Sequence, residues 1–220
     1  MSVPLYARIA AFMAGFVGLG VELAAERMMA PAFGTTLDLW SVIIALTFAA
    51  LSLGYELGGR YIVRRPDHRL VSLCLIAAGV WAIGIGFFGR TVAFWVQGWT
   101  FDFGGVTLGI FVTALLLITL PPFLLGIVTP AAIRLTVPRI GEAGSSSGTI
   151  FALSTVGSLL GTFAPVLLLM PFIGVRNTFL VVGAAGVVAG CIGLTSLVRI
   201  PAPAGEPASS AQPLVTEQTD

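Results

Sequence analysis

Residues 5–29 read LYARIAAFMAGFVGLGVELAAERMM, an apolar run long enough to cross the roughly 30 Å hydrocarbon core of a bilayer as a single helix. Such a run after Arg8 resembles a secretion signal, and Ala30-Pro31-Ala32 imitates its cleavage site. The run is too long for that and carries Glu22, Glu26 and Arg27 before the apparent site, so it reads as a retained first helix.

The rest of the chain has the same character. Of 220 residues, 57% are hydrophobic and 10% charged, against about 25% charged in an ordinary water-soluble domain. An all-α, polytopic membrane bundle is the fold class this composition implies. Beyond residues 5–29, spans are expected at about 37–61, 70–89, 105–137, 149–170 and 174–198, six transmembrane helices in all. Pro31 and Gly34 are expected to end the first. Residues 91–103, rich in aromatics and short, read as an interfacial segment rather than a crossing. The stretch 105–137 would be about 48 Å long as one helix, so it must bend. Pro121-Pro122 supplies the kink by removing two backbone donors, and Pro130 is a second weak point. Residues 1–199 form one transmembrane domain, and residues 200–220, rich in Pro, Ala and Ser, read as a disordered cytoplasmic tail.

The basic residues orient the bundle. All eleven are Arg. With the N-terminus inside, Arg8, Arg60, Arg64, Arg65, Arg69, Arg134, Arg139 and Arg199 fall on the cytoplasmic side, and Arg27, Arg90 and Arg176 fall outside. That excess favours both termini in, and places Trp40, Trp95 and Trp99 in an outer aromatic belt.

The same inventory excludes several chemistries. Without lysine there is no lysine-dependent mechanism. One histidine and two separated cysteines, Cys74 and Cys191, provide no zinc or haem ligand set, and no cofactor is expected. A net charge of +1 without a basic stripe argues against nucleic acid as a partner. Gly84-Ile85-Gly86-Phe87-Phe88-Gly89 matches a dinucleotide-binding fingerprint by letter but follows no strand, so it is discarded.

Charged groups within a span are costly unless they face a partner or water. Glu22, in the outer half of the first span, is the foremost candidate. Glu26 lies one turn on, on the same face, and Arg27 is turned toward another helix or a headgroup. The functional reading is a polar cavity offering a carboxylate to a cationic solute or a proton. The structural reading is an interhelical ion pair or hydrogen bond. Glu56 and Arg60 read as a helix-end pair. The glycine pairs Gly54/Gly58, Gly157/Gly161 and Gly186/Gly190 mark faces where helix backbones approach closely.

Three segments carry a family resemblance. They are Glu22-Leu-Ala-Ala-Glu26-Arg27-Met-Met-Ala-Pro31-Ala-Phe33-Gly34, then Leu51-Ser-Leu-Gly54-Tyr-Glu56-Leu-Gly58-Gly59-Arg60, and last Leu120-Pro121-Pro122-Phe-Leu-Leu-Gly126 joined to Ala152-Leu-Ser-Thr-Val-Gly157-Ser-Leu-Leu-Gly161-Thr-Phe-Ala-Pro165. In this order they resemble the membrane domain of bacterial spermidine synthase-like proteins, in which a major-facilitator-like part is fused to a synthase. The resemblance covers roughly residues 17–182. It implies an inner-membrane protein related to half of a major-facilitator-like transporter, which binds or moves a small cationic metabolite such as a polyamine. Glu22, Glu26 and Arg27 would be its substrate site, with Pro121, Pro122, Glu56 and Arg60 structural or gating. A glutamate at position 56 departs from the family pattern. No segment reads as the soluble aminopropyltransferase domain, so no synthase activity is expected. A six-helix half would act as a homodimer. The rival expectation is a non-transporting membrane anchor that recruits a separately encoded synthase.

Overall fold

In the computed structural model the chain is an all-α bundle, described over residues 2–64, 67–102, 104–136 and 143–195. Its helices are α1 (Val3–Phe33), α2 (Leu37–Arg64), α3 (His68–Thr100), α4 (Gly105–Leu117), α5 (Leu120–Thr136), α6 (Ala143–Phe163) and α7 (Met170–Leu194). A π-helical turn, Ala164–Leu169, joins the last two and takes up Pro165 near its start.

Helix α1 is the centre of the bundle. It contacts every other helix, and its alanines and glycines, Ala7, Ala10, Ala11, Ala14, Gly15 and Gly20 among them, are buried. Small side chains let neighbouring backbones close in, which is how helices associate where lipid supplies no hydrophobic drive. The glycine pairs read from the sequence lie at these approaches. A Cβ on Gly157 or Gly161 would strike the carbonyl of Phe12 or Phe16, and one on Gly58 would lie 2.8 Å from the Ile127 Cα.

These approaches also give chain direction. Gly157 and Gly161 face Phe12 and Phe16 in the same order, so α6 runs parallel to α1. Gly20, by contrast, meets Val182 and Gly193 meets Tyr6, so α7 runs antiparallel to it. Between them the chain reverses at Gly174, whose φ of 80° is a backbone conformation that favours glycine. By the same logic α3 runs with α1, and α5 runs with α2. The chain thus traverses the bundle back and forth, with α4 and α5 sharing one traverse.

Four stretches are long and apolar enough to cross a membrane, and the α4–α5 pair, bent by 48°, qualifies jointly as another. One of the four is the 51-residue stretch Gly144–Leu194, which contains the reversal at Gly174.

Several expected boundaries shift. Helix α1 continues through Pro31 and stops at Gly34, where φ is 80°. The segment at 91–103 is not separate. Helix α3 continues to Thr100, because Gly89, Ala93, Val96 and Thr100 keep a buried face at helical spacing while Phe94, Trp95 and Trp99 point outward. The bend in the fourth traverse falls at Ile118–Thr119, just before Pro121-Pro122. The prolines occupy the first turn of α5, where a missing donor is tolerated. Helix α6 begins at Ala143, earlier than expected. Arg8, Arg60, Arg69 and Arg134 lie toward one end of the bundle, and Arg27, Arg90 and Arg176 toward the other. Arg65, Arg139, Arg199 and the 200–220 tail lie outside the described residues.

Candidate functional site

Glu22 projects from α1 into a cavity of about 80 Å³ bounded by α1, α2, α5 and α6. Around it stand hydroxyls from three other helices: Thr47 and Tyr55 from α2, Thr129 from α5, and Ser154 and Ser158 from α6. Gly15 and Gly18 of α1 keep one wall low, and Pro122 closes another. The cavity extends from Ala14 to Glu22 along α1, about 12 Å at helical rise.

The electrostatics of this cavity are one-sided. No arginine lines it, and among the described residues no hydrogen bond or ion pair satisfies the Glu22 carboxylate. Thr47 is 5% exposed, and its hydroxyl has no protein partner among the described residues. A lone carboxylate and several hydroxyls, all able to accept hydrogen bonds, suit a compact donor-rich cation. The volume has room for an ammonium group or a few waters.

The other expected site residues go elsewhere. Glu26 is 3% exposed and does not line the Glu22 cavity. Arg27, expected to turn toward another helix or a headgroup, lines a separate cavity beside α3 and α7, and its Nε also lies 3.4 Å from Oε2 of its sequence neighbour Glu26. Glu56 and Arg60 form the expected ion pair, both largely exposed, and neither lines the cavity. Pro121 is buried in the first turn of α5, beside Pro122.

The five hydroxyl residues were not singled out from the sequence. Thr and Ser are common in apolar helices, where they often bond to the carbonyl one turn back, as Thr155 does to Phe151 and Thr162 to Ser158. What separates the cavity residues from these is convergence from several helices, which no single segment displays. Cys74 and Cys191 are free thiols, and no group of metal-ligating side chains occurs among the described residues. Comparison of the chain with protein-family models, with curated proteins and with solved structures gives no match.

Proposed function

We propose that this chain is a multi-pass membrane protein that binds a small cationic solute at Glu22 and carries it through the bundle. The observation that carries this reading is the Glu22 carboxylate, without an ion-pair partner among the described residues, facing hydroxyls of α2, α5 and α6. An ionisable group kept within an apolar span without a protein counter-ion is expensive, and a cationic cargo repays that cost. The small cavity takes one ammonium group at a time, so a polyamine would enter end-on with its chain along the Ala14–Glu22 wall.

The break between α4 and α5 supports a moving part, since Pro122 at the start of α5 lines the same cavity. Discontinuous helices at a solute site are a recurrent feature of secondary transporters. The resemblance of the three segments to spermidine synthase-like membrane domains points to the same substrate class. In this reading the chain crosses an inner membrane six times with both termini inside, and Arg8, Arg60, Arg69 and Arg134 face the cytoplasm. The test is uptake of labelled spermidine, putrescine and ammonium analogues by proteoliposomes. Flux should fall at least tenfold in Glu22→Gln, about the loss of a charged hydrogen bond. Equal flux in Glu22→Gln and wild type would remove the carboxylate from the mechanism.

A further inference from the structure

The face of α1 turned away from Glu22 borders a second, larger cavity. It measures about 770 Å³, lies between α1, α3 and α7 at the Trp95 and Trp99 end of α3, and is lined by Arg27, Arg90 and Arg176. These three arginines come from three helices far apart in sequence. Apart from Glu26, which pairs with Arg27, no acid among the described residues forms an ion pair there. Three guanidinium groups against one carboxylate leave an excess of positive charge in a cavity whose other walls are mostly apolar, including Phe87, Phe94 and Phe179, with Thr91 as a polar side chain among them.

Two of the cations are held in a way that leaves their donors available. The Arg176 guanidinium sits 4.7 Å from the Phe87 ring centroid, and that of Arg90 5.8 Å from the Phe94 centroid. Contact with an aromatic face stabilises the cation without consuming its N–H groups. The floor is made by glycine. A Cβ on Gly86 would lie 3.2 Å from the Arg176 carbonyl, so this residue lets α3 and α7 approach where the cavity begins. At Gly174 the chain reverses, bringing Arg176 back over the chamber.

From this arrangement we infer that the cavity is a binding site for a phosphate-bearing anion, held by Arg27, Arg90 and Arg176. The guanidinium groups offer planar, two-point recognition of phosphate oxygens. The volume is that of a small-molecule site. The level of the site, beside an aromatic belt, is where phospholipid headgroups lie. The phosphate has two available sources, a lipid headgroup with its chains along the exposed Phe87 and Phe88, or a soluble phosphorylated solute.

The inference is independent of the Glu22 reading and has its own test. Detergent-purified full chain is titrated with short-chain phosphatidylglycerol, short-chain phosphatidylcholine and inorganic phosphate, with binding followed by native mass spectrometry and by the shift in unfolding temperature. Phosphatidylglycerol should bind in preference to phosphatidylcholine, and Arg176→Gln or Arg90→Gln should weaken it about tenfold or more. Glu22→Gln should leave it unchanged. Arg176→Lys guards against a folding defect: it keeps the charge and the fold and still loses most of the affinity. Displacement of the lipid by millimolar phosphate assigns a soluble source, and its persistence assigns a lipid one. Equal binding of the two lipids with no phosphate binding, or affinity unchanged in both glutamine variants, overturns the assignment.

Discussion

The indole Nε1 of Trp81 on α3 donates to the carbonyl of Leu117, the last residue of α4, at 2.9 Å. In an unbroken helix that carbonyl would be served by the N–H of residue 121, and residue 121 is proline. Trp81 therefore replaces the donor that Pro121 lacks, and the backbone ladder resumes when the Phe123 N–H reaches the Thr119 carbonyl at 3.2 Å. In an apolar surrounding an unserved carbonyl is costly, so this side chain stabilises the break. Trp81→Phe should destabilise the bundle by about 1–3 kcal/mol, the cost of an orphaned polar group. Thermal unfolding in detergent checks it, with Trp95→Phe as control because Trp95 is 69% exposed and makes no such bond. Equal effects of the two substitutions would mean that the Leu117 carbonyl finds another donor.

Thr47 and Thr113 are both buried hydroxyls without a partner among the described residues, but only Thr47 lines the Glu22 cavity. Removing an unsatisfied hydroxyl while keeping shape relieves a desolvation cost. Thr113→Val should accordingly raise the unfolding temperature and leave cation binding alone. If a polyamine binds at Glu22 as proposed, Thr47→Val should lower the stabilisation it confers while leaving ligand-free stability unchanged or higher. Ligand-dependent thermal shifts separate the two. A similar response from both variants would show that the Thr47 hydroxyl does not serve the ligand.

Glycines in this bundle divide by what surrounds them. At Gly161 an added Cβ collides with the Phe16 carbonyl, and the obstacle is backbone, which cannot step aside without separating α1 from α6. At Gly84, in the middle of α3, nothing lies within 4 Å. Gly161→Val should cost about 1–3 kcal/mol, in the range of overpacked cores. Gly84→Ala should gain about 0.5–1 kcal/mol from reduced freedom of the unfolded chain and better helix propensity. Reversible unfolding in mixed micelles measures both. A penalty at Gly84 would point to a packing partner outside the chain.

Much of this architecture is legible in the sequence because hydropathy and small-residue spacing are local signals. The apolar runs mark the helices, the glycine pairs mark close approaches, and Pro121-Pro122 marks the fourth traverse as broken. The end of α3 was harder to read. Trp95, Trp99 and Gln97 look interfacial by composition, yet Ala93, Val96 and Thr100 between them continue a buried stripe, and the Gln97 amide donates to the Ala32 carbonyl near the end of α1. Glu22 stood out because a charge in a span is conspicuous. The hydroxyls around it do not, since Thr47, Thr129 and Ser158 are ordinary residues made special only by converging from different helices. The meeting of Arg27, Arg90 and Arg176 is likewise a property of tertiary structure. Their common end follows from topology, but their common cavity follows from the reversal at Gly174.

At the opposite end of the bundle, the Tyr6 hydroxyl lies 2.8 Å from Oγ of Ser72, and that Oγ donates to the His68 carbonyl at 3.0 Å, so Tyr6 is the donor in the first bond. Gly193 makes the pairing possible, because a Cβ there would fall on the end of the Tyr6 ring and on the Ser72 hydroxyl. Tyr6 is fully buried and has no space into which to withdraw. One contact therefore ties α1, α3 and α7 together. Tyr6→Phe should cost about 0.5–1.5 kcal/mol, the worth of one hydrogen bond. Gly193→Ala should cost more, since it displaces the ring as well as the bond. Truncating the ring makes room for the new methyl, so the Gly193→Ala penalty should shrink in a Tyr6→Leu background, with a coupling of about 0.5–3 kcal/mol typical of residues in contact. A double-mutant cycle on unfolding free energies reads this directly. Strict additivity would place Tyr6 and Gly193 out of contact and remove this tie between α1 and α7.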